Sequence, residues 1–202
     1  MKKKKIGLVV LILILVYSIG GIYYNLTHRD SVDNSVKSID KIDKYGYVLK
    51  SNANDLQKEL FNELKTVLNS DNINDDDYAK VISKMFVTDL YTLSNKLNKY
   101  DVGGTDYVLE SGRENFKVNV QDTLYKYLED NSDGKRNQIL PLVVSVSADE
   151  ISDTKYKIGD NESEAKKVSL TLSYQEDLGY DTKVTVILIK DNDKYYIVES
   201  AN

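Results

Sequence analysis

The chain has 202 residues, a formal net charge of −5 and 41% hydrophobic residues. It contains no cysteine and a single histidine, which excludes disulfides, thiol chemistry and a cysteine-bound lipid anchor. Four of its positive charges lie in Lys2–Lys5, so the remainder is more acidic than the whole and poorly suited to nucleic acid or anionic lipid.

Ile6–Tyr24 carries no charge. About 19 residues rising 1.5 Å each span about 28 Å, close to the hydrocarbon thickness of a bilayer. Residues 6–24 therefore read as one transmembrane helix. The lysine cluster, residues 1–5, is its cytoplasmic tail, and the bulk of the chain lies outside the cell membrane. A charged start and an apolar run also describe a cleaved signal peptide, with Ser18 and Gly20 as small residues near a cleavage point. The run continues past them, which favours an uncleaved anchor. Residues 25–44 are polar and read as a stalk. Val32, Val36, Ile39 and Ile42 keep near-helical spacing, so a helix that extends the span or pairs with its copy competes with a loose linker, the preferred reading.

Residues 45–202 are patterned as one α+β domain. A first helix is expected over about 53–69, with Ser51, Asn52 or Asn54 as its cap and Leu56, Leu60, Leu64, Val67 and Leu68 as its apolar stripe. A second is expected over about 75–97, capped by Asn74, with three aspartates at the positive end of its dipole. A third is expected over about 113–129, with Phe116, Val120, Leu124, Tyr127 and Leu128 in line. From Leu142 the period becomes two. Strands are expected at 142–147, 155–158, 167–174, 184–189 and 195–199. Short turns between them imply antiparallel neighbours, with three helices packed on a curved antiparallel sheet.

This order of elements resembles the NTF2-like, or cystatin-like, extracytoplasmic domains, including the membrane-anchored scaffold proteins of type IV secretion and conjugation machines. The stretch Phe86–Lys96, followed by Asp101-Val102-Gly103-Gly104, is similar to a segment of anchored proteins in low-GC Gram-positive bacteria. The resemblance implies a cone between helices and sheet, used in that group for enzymes, ligand binders and scaffolds alike.

Enzymes of that group place Asp or His in the cone. His28 lies next to the membrane, far from it in sequence, so Asp89 is the best remaining acid. It falls mid-helix beside Phe86, Leu90 and Leu93. It either faces a pocket with a raised pKa or serves as a structural carboxylate bound by Tyr91, Asn95 or a nearby loop; the structural role is favoured. Gly103 and Gly104 mark a glycine-dependent turn rather than a nucleotide loop, since no strand precedes them and no phosphate-binding lysine comes after. Asp71 and Asn74–Asp77 are rich in oxygen but lack the glycine and distal glutamate of a calcium loop, so they read as a helix start. No cofactor, metal or catalytic set is expected. The favoured function is a non-catalytic extracytoplasmic scaffold that contacts its own copies or other envelope proteins. The alternative is a small-molecule or peptide binding module, with Asp89, Tyr91 and Asn95 as polar groups of an open cone.

Overall fold

A computed structural model describes residues 37–201. The expected tail over 1–5, the transmembrane helix over 6–24, His28 and the stalk as far as residue 36 lie outside the described residues. Among the described residues no helix is long and apolar enough to cross a membrane.

Lys37 opens the folded unit, ahead of the boundary at Tyr45 expected from the sequence. Strand β1 (Ser38–Ile42) pairs antiparallel with β2 (Tyr47–Lys50). Ile39 and Ile42 therefore belong to a hairpin rather than to a stalk, helical or loose. Tertiary contacts override the local spacing. Ile42 packs on the core, and Tyr45 and Tyr47 are buried against Tyr78. The Tyr47 and Tyr78 hydroxyls share a hydrogen bond of 2.7 Å, and Lys65 donates to Asp40 of β1.

Helix α1 (Asp55–Leu68) starts at a capping box. The Asn54 side chain accepts from the Gln57 amide at 2.8 Å, and the Gln57 side chain accepts from the Asn54 amide at 2.9 Å. Leu60, Phe61, Leu64 and Leu68 form its buried face. Helix α2 (Asp75–Tyr91) is capped by Asn74, which accepts from the amides of Asp76 and Asp77. The aspartates there also tie the helix to the sheet: Lys190 reaches Asp75 at 2.7 Å and Lys166 reaches Asp76 at 2.6 Å. Helix α2 is buried on most of its circumference, from Tyr78 to Tyr91, so it is the central element. It ends at Tyr91 rather than near Leu97. Thr92 turns extended, and the Leu93 and Ser94 amides both donate to the Pro141 carbonyl.

Helix α3 (Arg113–Asp122) also stops early, short of the expected Glu129. The Thr123 and Tyr125 amides both fold back on the Val120 carbonyl. That bend drives Tyr125 into the core, where its hydroxyl donates to the Leu90 carbonyl at 2.8 Å. A buried tyrosine needs such a partner, and a continued helix would not deliver it.

The sheet is a curved antiparallel meander in the order β3 (Val143–Ile158), β4 (Asn161–Tyr174), β5 (Lys183–Asp191), β6 (Lys194–Ala201). Two expected strands, at 142–147 and 155–158, are one long strand, β3, irregular near Val143 and Ala148. Such irregularities bend a strand and interrupt its alternation, which is why it reads as two pieces. Val168, Leu170, Leu172, Val184, Val186, Leu188 and Ile197 are buried in the core with the helices. Asn192 and Asp193, both with positive φ, make the tight turn between β5 and β6. Among the described residues the architecture is thus α+β, three α-helices with a curved four-stranded antiparallel sheet.

Leu172 is 1% exposed, whereas Ser173 is exposed on the same strand. Leu172→Asp should remove the folded state, because an uncompensated buried charge costs several kcal/mol against a total of about 5–15 kcal/mol. Ser173→Asp should shift the urea midpoint little. Chemical denaturation of the two variants checks this. Thr171 is not the right control, since its hydroxyl donates to Asp149.

Candidate functional site

Two places gather polar chemistry around α2, on different sides. The first is built on Asp89. One carboxylate oxygen takes the Lys96 ammonium at 2.5 Å and the Gln57 side-chain amide at 3.1 Å. The other takes the Gly104 backbone N–H at 2.7 Å. Asp89 is only 15% exposed and Lys96 only 5%. Burial by itself would raise the Asp89 pKa. The charges of Lys96 and Lys50 and the Gly104 N–H outweigh it and hold the carboxyl below the usual value. Lys50 answers the same field from β2. Burial would lower its pKa, yet Asp89 and Asp106 raise it.

The glycines explain why the loop can close on this carboxylate. A Cβ on Gly103 would lie 2.1 Å from the Asp89 carbonyl oxygen. Gly104 has φ +75°, and a Cβ there would meet the Phe86 ring at 2.9 Å. Only glycine lets the backbone pass this near α2. Asn95 joins the cluster from the same loop, donating to the Asn52 carbonyl and to the Gln57 side chain at 3.3 Å each. Asp89, Asn95, Gly103 and Gly104 thus come together, as a clamp rather than as an open pocket. Space beside them amounts to about 40 Å³, roughly room for a water or two.

Tyr91 does not join that cluster. It is buried and lines a second place, a cleft of about 770 Å³. Leu90 and Phe86 of α2 form its floor with Tyr91. Phe116, Val120 and Leu124 of the α3 region form one wall, and Ile197–Ala201 of β6 another. Tyr156 and Ile158, from the far end of β3, complete it. The Tyr156 hydroxyl donates to the Val198 carbonyl at 3.3 Å, so the two outer strands of the sheet meet there. Burial, and after it the nearby Glu199 charge, raises the Tyr156 pKa and keeps the hydroxyl protonated. Glu199 is the one charged side chain in the lining, and Asn115, Asn119 and Ser111 add uncharged polar groups.

The size and lining suit an apolar ligand oriented by a few polar contacts. The lining brings no second carboxylate and no imidazole to Glu199; its other titratable groups are the phenols of Tyr91 and Tyr156, and Tyr156 is hydrogen-bonded to Glu199. Among the described residues no group of His, Cys, Asp or Glu is placed to hold a metal ion. The space between α2 and the inward face of the sheet is occupied by core side chains, and the opening lies to its side. No protein-family model, curated protein or solved structure matches the chain.

Sequence reasoning missed Asn115, Asn119, Tyr156 and Glu199. Asn115 and Asn119 sit four apart beside the apolar Phe116 and Val120, a signal of a half-polar wall that periodicity contained. Tyr156 and Glu199 carried none, because only sheet curvature brings them together.

Asp89→Asn should lower the urea midpoint at neutral pH by about 3 kcal/mol in unfolding free energy, since it strands the buried Lys96 charge. The lowered pKa fixes the sign of the pH dependence. The Asp89 contribution is complete above the unfolded-state pKa, near 4, and disappears as pH falls through the lower folded-state value. Wild type should therefore lose stability on acidification through this window more steeply than Asp89→Asn. Gly103→Ala should destabilise by a similar amount or more, read from the same denaturation curves.

Proposed function

We propose that this protein is a membrane-anchored, non-catalytic binding and interaction module of a bacterial cell envelope. Residues 6–24 anchor it, with the N-terminus in the cytoplasm, and the folded unit stands outside the membrane. The sheet-and-helix layout supports an NTF2-like, cystatin-like arrangement in which the working surface is the cleft between α3 and β6. The observation that carries the reading is the cleft itself: about 770 Å³, largely apolar, with a single charged side chain. A site of this kind binds and orients, and its one carboxylate, Glu199, is paired with a Tyr156 phenol that burial and the Glu199 charge keep protonated rather than with a second carboxylate or an imidazole. Service as a scaffold, including one in a secretion or conjugation apparatus, is compatible with this reading, the cleft being where a partner is held.

The test uses the folded unit, residues 37–202, and the neutral apolar dye Nile red. Wild type should bind the dye saturably. Asn119→Trp, on an exposed helical position in the lining, should fill the cleft and weaken binding by about tenfold or more. Its unfolding free energy should stay within about 0.5 kcal/mol, as for other surface changes. Equal dye binding by wild type and variant, or no saturable binding, would remove the cleft as the site.

A further inference from the structure

Strand β6 is an outer strand of the sheet, paired with β5 alone in the strand order. Its other edge carries the start of a further strand. Val108 makes an isolated parallel bridge to Ile197, and the Leu109 N–H donates to the Ile197 carbonyl at 3.1 Å. The chain then leaves that edge, because Glu110–Gly112 is a 3-10 turn leading into α3.

In an antiparallel ladder alternate residues turn their N–H and C=O away from the partner strand. The Leu109 bond identifies Ile197 as one of these. The register between β5 and β6 then slips by one residue at Val198 and resumes at the pairs Ile187 with Glu199, Val186 with Ser200 and Thr185 with Ala201. By the alternation Ser200 is the next residue with outward backbone groups. Among the described residues, no backbone hydrogen bond from another segment reaches the outer side of Glu199–Ala201. That stretch of edge lines the cleft, facing the apolar Phe116, Val120 and Leu124.

We infer that the cleft receives an extended peptide segment of a partner protein, which adds to the edge of β6 as a strand. The inference rests on the reading of the cleft as a binding site and names its ligand class. Strand addition joins main-chain hydrogen bonds for affinity to side-chain pockets for specificity, and the cleft has both parts. Residues two apart on a strand share a face, so alternate apolar side chains of the segment lie against the α3 wall. Glu199 is the one charge in the lining, and the chain beyond its lysine cluster is acidic, so the complementary segment is apolar and basic in alternation.

The register slip at Val198 bears on this directly. A bulge ordinarily turns an edge away from pairing. Here the Val198 carbonyl accepts from the Tyr156 hydroxyl, and β6 runs on to Ala201 inside the cleft. The edge is thus occupied at Ile197, covered at Val198 and open beyond.

The test uses the full-length chain in nanodiscs of zwitterionic phosphatidylcholine and a short fluorescein-labelled peptide of alternating valine and lysine, monitored by anisotropy. Saturable binding is expected. N-methylation of alternate peptide amides should weaken it about tenfold or more in one phase and leave it unchanged in the other. Ser200→Pro, which removes an outward N–H without touching the β5 ladder, should weaken it similarly with an unchanged melting temperature. If Ser200→Pro fails to fold, the methylated peptides decide alone. Equal binding by both methylation phases would overturn the strand. Nile red binding without peptide binding would keep the cleft as a site and overturn the peptide. Failure of both ligands would overturn both readings. A concentration-dependent dimer in sedimentation that Ser200→Pro dissolves, and that the peptide cannot displace, would assign the edge to a second copy instead.

Discussion

The Asp89 carboxylate determines where the chain goes after α2 ends. The segment from Leu93 to Gly104 has other ties, to the Pro141 carbonyl, to Arg136 and to the Tyr125 hydroxyl, and the carboxylate adds the one that joins its two ends to α2. With it, Lys96 and the Gly104 N–H are pulled onto the helix from which the loop departed, and Gln57 links the same carboxylate to α1. A lone buried carboxylate would be very unfavourable, and a lone buried ammonium equally so. The pair becomes acceptable because both charges and both carboxylate oxygens have partners, and the arrangement is then intolerant of losing any member. The glycines are part of this constraint. Their missing side chains supply the space in which the backbone meets the carboxylate.

The segments beyond Gly104 inherit their position from this clamp. Gly104 leads directly into Thr105–Tyr107 and on to Val108 and Leu109, which lie along β6, and then into α3. Tyr125 closes the same region from the other side, its hydroxyl donating to Leu90 and accepting from the Gly103 N–H. Burial and the Asp89 charge push that hydroxyl well above its ordinary pKa, so it stays a donor. The clamp thus sets one wall of the cleft at a distance. The acid that most resembled a catalytic group in the sequence serves construction, and the surface it helps to build is largely uncharged.

Much of the scaffold was legible in the chain because burial imposes periodicity. The stripes of α1 and α2, the caps at Asn54 and Asn74, and the alternation through Val168, Leu170 and Leu172 all express one buried face. Helix ends were less legible. Leu93 and Leu97 continue the helical spacing of α2, yet the Pro141 carbonyl and the Asp89–Lys96 pair capture the chain first. Leu124 and Leu128 likewise continue α3, yet Tyr125 must reach Leu90. Ile39 and Ile42 kept helical spacing but joined a hairpin, because Tyr45 and Tyr47 find a tyrosine cluster on α2 and β6. Of the candidate site, Asp89 was read with Tyr91, Asn95 or a nearby loop as alternative partners, and Gly103 and Gly104 as a turn; the structure brings Asp89, Asn95 and the two glycines together. Tyr91 was grouped with them because it is near in sequence, although two residues along a helix points a side chain to a different face. The cleft was not legible, since it depends on contacts between the two outer strands of the sheet.

Asp89 is a buried carboxylate whose partners hold its pKa below the usual value, and the binding role is proposed for the cleft instead. A carbon-13 NMR titration of the Asp89 carboxyl tests this division of roles most directly. The expected midpoint lies below that of an ordinary aspartate, with protonation accompanied by loss of the Gly104 amide's native shift. A midpoint raised toward neutrality, with the Gly104 amide undisturbed, would contradict it and return Asp89 to the role of a functional acid.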